Sequence, residues 1–249
     1  MTAALFVRKK NRFDPESKNP FKISRSKIEL FCECPRCFFI DVKLGITRPP
    51  MLPFNLNNAV DQLLKTEFDQ FRQKNEQHPL MAIHQIDAKP FSHPSLDEWR
   101  ENFKGITYLD PKTNFIITGA IDDVWINSKG ELMIVDYKAT SKDQTISHED
   151  DLYPAYKRQM EIYQWIFKKN GFQVSDEGYF VYCNGLKNKP AFKRHLEFAV
   201  NVISYKGQQN WIESRLDEIK ALLMQDTLPT HSSNCEYCKF SLLTQQIES

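Results

Sequence analysis

Gly119-Ala120-Ile121-Asp122, followed across the turn Asn127-Ser128-Lys129-Gly130 by Leu132-Met133-Ile134-Val135-Asp136-Tyr137-Lys138, is the stretch that decides how this chain folds. Residues 114–126 alternate as a strand does, and 131–138 read as its partner. A glycine-bearing turn between two such runs predicts a hairpin. Successive strand side chains point to opposite faces, so Asp136 and Lys138 are expected on one side. Charged groups ending a buried apolar strand are costly unless they bind something. Asp122 lies on the neighbouring strand, where its carboxylate can converge with that of Asp136.

Outward from the hairpin, Ser26 predicts a helix N-cap with Glu29 completing a capping box. That helix carries Ile28, Leu30, Phe31, Cys34, Phe38 and Phe39, and Thr47-Arg48-Pro49-Pro50 stops regular structure. Residues 54–77 predict a second helix from the spacing of Leu56, Val60, Leu63, Leu64, Phe68 and Phe71. Residues 78–113 hold scattered prolines and histidines, with one short helix near 96–103. Beyond the hairpin, 150–169 predict a helix ended by Asn170-Gly171. Strands near 178–183 and 192–200 are joined by a turn at 184–189. A helix over about 205–224 precedes a cysteine-bearing tail. This order predicts an α/β fold, a mixed central sheet flanked by helices. Residues 1–23 read as a partly ordered tail and 24–249 as one domain, its core at about 54–200.

Composition narrows the function. A chain of 249 residues with 41% hydrophobic and 26% charged content is ordinary for a globular protein. Net charge is +1, so a nucleic-acid surface must come from local clusters such as residues 8–12 and 187–194. No stretch reaches the ~20 apolar residues of a membrane span, and the opening apolar run at 3–7 is too short for a signal peptide. A cytoplasmic location is expected, where the six cysteines serve as thiols or metal ligands rather than disulfides. There is no Walker A motif and no G-x-G-x-x-G, so neither a nucleotide-driven motor nor a dinucleotide cofactor is indicated. The six histidines form no metal-binding pattern, and Trp125, Trp165, Phe167 and Trp211 read as core.

Phosphodiester hydrolysis needs a cation to neutralise the scissile phosphate and acidify an attacking water. Magnesium and manganese take oxygen ligands, which Asp122, Asp136 and a backbone carbonyl can supply. A neighbouring lysine can orient the water or stabilise developing negative charge. Gln159 and Tyr163, four residues apart, share one helix face and can support such a site.

G-x-x-D, D-x-K and Q-x-x-x-Y in this order resemble the PD-(D/E)XK nuclease superfamily, specifically its RecB-like branch. With the cysteines, the chain is most similar to CRISPR-associated iron–sulfur exonucleases and AddB-type nuclease domains. The resemblance spans about residues 24–240. It implies a restriction-endonuclease-like core and a Mg2+- or Mn2+-dependent deoxyribonuclease, an exonuclease acting on single-stranded DNA or DNA ends. Asp122, Asp136 and the Tyr137 carbonyl would hold the ion, Lys138 would assist the water, and Gln159 and Tyr163 would support the site. Asp61 stands where an earlier helix of the family carries a histidine ligand. A carboxylate there can still bind the ion, or it is an exposed helical aspartate. Protein partners in DNA repair or CRISPR adaptation follow from the same resemblance, with no membrane.

Cys34-Pro35-Arg36-Cys37 and Cys235-Glu236-Tyr237-Cys238 supply two C-x-x-C pairs, a ligand set for zinc or an iron–sulfur cluster. The resembling family joins one N-terminal cysteine to three near the C-terminus. Thr244 stands at the last of those positions, and Cys37 restores the count. The resemblance favours a [4Fe–4S] cluster and the two-plus-two pattern suits Zn2+ equally. Either would staple segments 26–50 and 226–240 into a cap and order the DNA-entry region. Cys32 and Cys183 are expected as buried thiols, with Cys32 a reserve ligand. Two other functions fit the chain: a catalytically impaired binding module for DNA or protein on the same fold, and a zinc-stabilised interaction protein.

Overall fold

The structure, a computed structural model, describes residues 7–8, 10–49, 54–144 and 146–248. Residues 3–6 of the opening run, Lys9 of the first basic cluster and Pro50 lie outside the described residues. In chain order the elements are Phe21–Ser24 (β1), Arg25–Glu33 (α1), Pro35–Val42 (α2), Asn55–Lys74 (α3), Pro79–Ile83 (α4), Lys89–Pro90 (β2), Leu96–Arg100 (α5), Ile106–Asp110 (β3), Phe115–Gly119 (β4), Asp123–Ile126 (β5), Leu132–Thr140 (β6), Pro154–Lys169 (α6), Glu177–Gly185 (β7), Phe198–Lys206 (β8), Ile212–Leu223 (α7) and Glu236–Glu248 (α8). Contacts divide the chain into two compact units, one of residues 1–52, 108–118 and 210–249, the other of 53–107 and 119–209.

The second unit holds a mixed sheet ordered β2-β5-β6-β7-β8. β5 and β6 form the expected antiparallel hairpin, β6 and β7 run parallel around the α6 crossover, and β7 and β8 are antiparallel. Met133, Val135 and Tyr137 of β6 join Trp125, Tyr179 and Val181 in a core against Leu64 and Phe68 of α3. The alternate residues of β6 face α6, which brings Asp136 to Gln159. Both faces of β6 are therefore covered, which is why its sequence is a continuous apolar run rather than an alternating one.

The first unit has a three-stranded sheet ordered β1-β4-β3, with β1 and β4 parallel. Phe13, Phe21 and Phe115 pack edge to face, and Lys220 of α7 lies over two of these rings. Phe13 is buried and β1 is paired, so the stretch read as a tail is built into this unit from Phe13 onward.

Several local expectations change, each for a physical reason. The helix predicted from Ser26 starts at Arg25 and makes no capping box, because β1 runs straight into it and Ser24 is its cap. It also breaks at Cys34, whose backbone is extended (φ −158°). The residue before a proline is pushed out of the helical region, and Pro35 offers no N–H. In α3 the residues facing the core are Leu64, Phe68 and Arg72, while Leu56 and Leu63 are exposed. The helix predicted at 150–169 begins at Pro154 after a separate 3-10 turn at Glu149–Asp151. The strand predicted at 114–126 is two strands in different sheets, β4 and β5, separated by residues 120–122. The last strand starts at Phe198 rather than 192, because Lys193 and Arg194 take left-handed φ of 44° and 64° and cannot extend a strand. The helix predicted at 205–224 begins only at Ile212, since β8 continues to Lys206, and the cysteine-bearing tail forms α8.

Candidate active site and metal centre

Asp122 lies just before β5 rather than at a strand position. One of its carboxylate oxygens accepts the Tyr137 backbone N–H at 2.9 Å, and its own carbonyl accepts from Arg100 Nε at 2.9 Å. Asp136, almost wholly buried on β6, accepts from Gln159 Nε2 at 2.8 Å through Oδ1 and pairs with Lys138 through Oδ2. The Gln159 amide also donates to the Tyr163 hydroxyl at 3.2 Å. Lys138 Nζ lies 4.4 Å over the Tyr156 ring. Burial works against its charge, but Asp136 and then Asp122 outweigh it and hold Lys138 above the usual lysine range. Asp122, Asp136, Lys138, Gln159 and Tyr163 are thus in one neighbourhood.

Gly119 is what allows α6 to come so close. A Cβ placed there would sit 2.3 Å from Tyr163 Cε1. The glycine of G-x-x-D is therefore required by the tyrosine of Q-x-x-x-Y.

Asp61 joins the same neighbourhood from α3, whose first turn is tied to β6 by Asn57 Nδ2 donating to the Ala139 carbonyl at 2.8 Å. Its Oδ2 accepts from Lys65 Nζ at 2.8 Å, and that ammonium reaches Asp122 Oδ1 at 3.4 Å. Burial, then the nearby Asp122 charge, pushes the Asp61 carboxyl up. The sequence pattern does not single out Lys65, although its spacing of four from Asp61 places both on one helix face.

Asp123, adjacent in sequence to Asp122, has a different role. It is fully buried and receives Arg72, Arg100 at 2.9 Å, the Tyr137 hydroxyl at 2.8 Å and its neighbour's N–H. Arg100 also binds both oxygens of Asp69, at 3.0 and 2.8 Å. Because Arg100 holds the Asp122 carbonyl too, this buried network fixes the backbone that presents Asp122. Nothing in the spacing of Arg72 or Arg100 signals it.

In the first unit, Cys34, Cys37, Cys235 and Cys238 are buried with their sulfurs all within 4.8 Å of one another. Cys37 Sγ lies 3.6 Å from Cys235 and 3.5 Å from Cys238, and Cys34 lies 3.8 Å from Cys238. Each pair sits at the start of a helix, α2 or α8, where backbone N–H groups favour a thiolate. Burial raises the Cys34 thiol, but the Cys37 and Ser232 backbones and neighbouring cysteines bring it down to about 6. Arg48 stands 3.7 Å from Cys235 Sγ, pairs with Glu33 at 2.7 Å and covers the Tyr237 ring at 4.5 Å. Cys32 is outside this group and only partly buried, while Cys183 lies in the core of the other unit, where burial pushes its thiol up to about 11.

A family model described as the PD-(D/E)XK nuclease superfamily matches residues 22–242. The chain belongs to the PD-(D/E)XK nuclease superfamily. The mixed sheet flanked by helices is the architecture expected of it, and membership supports a metal-dependent nuclease in general. No curated protein matches the sequence. Among solved structures, the crystal structure of SSO0001 aligns at 17% identity over 92% of this chain and 86% of that one, with a TM-score of 0.43. No helix among the described residues is long and apolar enough to cross a membrane.

The residues present fit a divalent cation in this superfamily member. Asp61 Oδ1 is buried with no hydrogen-bond partner among the described residues, and the surrounding donors are carboxylate oxygens, which suit magnesium or manganese. The four thiols are likewise a metal-binding donor set, able to hold zinc or an iron–sulfur cluster.

Proposed function

We propose that the chain is a Mg2+- or Mn2+-dependent deoxyribonuclease of the RecB-like branch, working as an exonuclease on single strands or DNA ends in the cytoplasm. The observation that carries this reading is Lys138, held charged by Asp136 and Asp122 together. Asp122, Asp136, the Tyr137 carbonyl and Asp61 would hold the ion. When bound, the ion supplies a Lewis acid that offsets phosphate charge and acidifies a water.

The chain's own residues do the rest. Gln159, braced by Tyr163, keeps the Asp136 carboxylate in one orientation, and the Tyr137 N–H does the same for Asp122. The Lys138 ammonium donates to the attacking water or to negative charge growing on the phosphate. The preference for single strands and ends rests on the resemblance to RecB-like exonucleases.

The cysteine centre is read as structural zinc. Tetrahedral thiolates around zinc, at ~2.3 Å from the metal, stand about 3.8 Å from one another. Three of the six sulfur separations, 3.5 to 3.8 Å, lie near that spacing, and all six are within 4.8 Å. A four-iron cluster, which the resemblance favours, would be held by the same four thiolates.

Degradation of end-labelled single-stranded DNA with Mn2+ tests the activity. Lys138→Ala should lose about 10²- to 10³-fold in rate, the usual cost of removing a preorganised charge donor. Equal rates for both proteins, or none for either, would defeat the proposal.

A further inference from the structure

Lys65 carries an inference that rests on the metal-dependent reading above and goes beyond it. An i,i+4 Asp–Lys pair is ordinarily a solvated surface contact that adds little. This one differs in two respects. The Lys65 side chain is only 16% exposed, and its ammonium reaches a carboxylate from a different element, 3.4 Å from Asp122 Oδ1 as well as 2.8 Å from Asp61 Oδ2. A cation bridging two carboxylates occupies the kind of position that a second divalent ion takes in two-ion phosphodiesterases.

Charge points the same way. Asp61, Asp122 and Asp136 contribute three negative charges, and Lys65 and Lys138 return two positive ones. The remaining single negative charge suits one divalent ion. A second ion would sit beside an ammonium already held by the carboxylates it needs, with nothing left to offset the repulsion.

We propose that Lys65 is a built-in cation standing in for a second divalent ion, so that this site loads one ion. Lys65 bridges Asp61 Oδ2 and Asp122 Oδ1, so the one ion would share Asp61 through its other oxygen, Oδ1, with Asp122 and Asp136. Removing its charge opens the Asp61–Asp122 pair to a further ion, while an arginine keeps that pair closed.

The test uses the full chain with its cysteine centre filled, titrated with MnCl2 by calorimetry and by electron paramagnetic resonance of bound Mn2+. The wild type and Lys65→Arg should each bind one Mn2+, and Lys65→Met should bind two, with a spin-coupled signal. Lys65→Gln serves if Lys65→Met is not folded by circular dichroism. Two ions in the wild type, or one ion at unchanged affinity in the uncharged variants, overturns the role of Lys65. Asp122→Asn separates the two levels. If it abolishes Mn2+ binding while the uncharged Lys65 variants still take a single ion, the metal site stands and the Lys65 proposal falls. If Mn2+ binding survives Asp122→Asn, or the wild type binds none, the metal site itself is wrong and the proposal falls with it.

Discussion

Gly119→Ala is a one-methyl change that should damage the site from behind. The new Cβ would lie 2.3 Å from Tyr163 Cε1 and 3.0 Å from Cδ1. Carbon atoms pack best at about 3.5–4.0 Å, so the ring or the strand must retreat by more than about 1 Å. Gly119 does not use a left-handed φ, so alanine brings no backbone strain, and its lower unfolded-state entropy returns up to about 1 kcal/mol. Overpacking of this kind costs about 1–3 kcal/mol. Tyr163 is buried on α6 and its hydroxyl is bonded to Gln159 at 3.2 Å, so the displacement breaks that bond and loosens the amide on Asp136. A 1 Å misplacement of this sort can cost about 10²-fold in rate. Urea denaturation and Mn2+-dependent cleavage of labelled DNA would be measured for Gly119→Ala, Tyr163→Ala and the double variant. Adding Gly119→Ala to a protein already lacking the ring should cost much less than adding it to the wild type, a coupling visible in the double-mutant cycle. Wild-type stability and rate in Gly119→Ala would refute the reasoning.

Asp123→Ala leaves Arg72 and Arg100 buried without their shared counter-charge and should lower the unfolding free energy by about 3–5 kcal/mol in urea titrations; a loss below 1 kcal/mol would show the network to be dispensable. Burial, outweighing the pull of Glu67, lowers the proton affinity of His78. The unfolded chain then binds more protons below about pH 6.5. Stability should therefore be full above that pH and fall as pH drops toward the folded value. Comparing urea midpoints at pH 7.5 and 5.5, His78→Asn, which keeps an acceptor for the Leu80 N–H, should show the shallower dependence. Elemental analysis should find zinc on the cysteine centre, and chelation should lower Tm and expose those thiols to a thiol reagent; a brown protein rich in iron would reverse the assignment.

The hairpin, its turn, α6 and the carboxylate–lysine motif were legible because each rests on local periodicity or on contacts between residues close in sequence. The cysteine pairs were legible for a different reason, since each C-x-x-C is a local pattern even though the pairs are two hundred residues apart. What escaped was set at long range. Cys34 looks helical until Pro35 is weighed against it, and residues 114–126 alternate continuously although β4 and β5 belong to different sheets. Leu56 and Leu63 have helical spacing, but the sheet selects the neighbouring row of Leu64 and Phe68. Asp122 and Asp123 are indistinguishable in sequence; only Arg72 and Arg100, from two other helices, decide which one is sequestered.

The division of the chain into two units has a consequence for biosynthesis. Residues 53–107 and 119–209 make up one unit and emerge from the ribosome before the other can be finished, because that other unit needs residues 210–249 as well as the first 52. At about 5–20 residues per second, the roughly 200 residues from Cys37 to Cys238 take about 10–40 s to add. During that interval Cys34 and Cys37 are half a binding site. The nascent chain therefore has reason to acquire its ion late, once Cys235 and Cys238 have arrived, and early capture by another thiol reagent or metal is the hazard this topology creates.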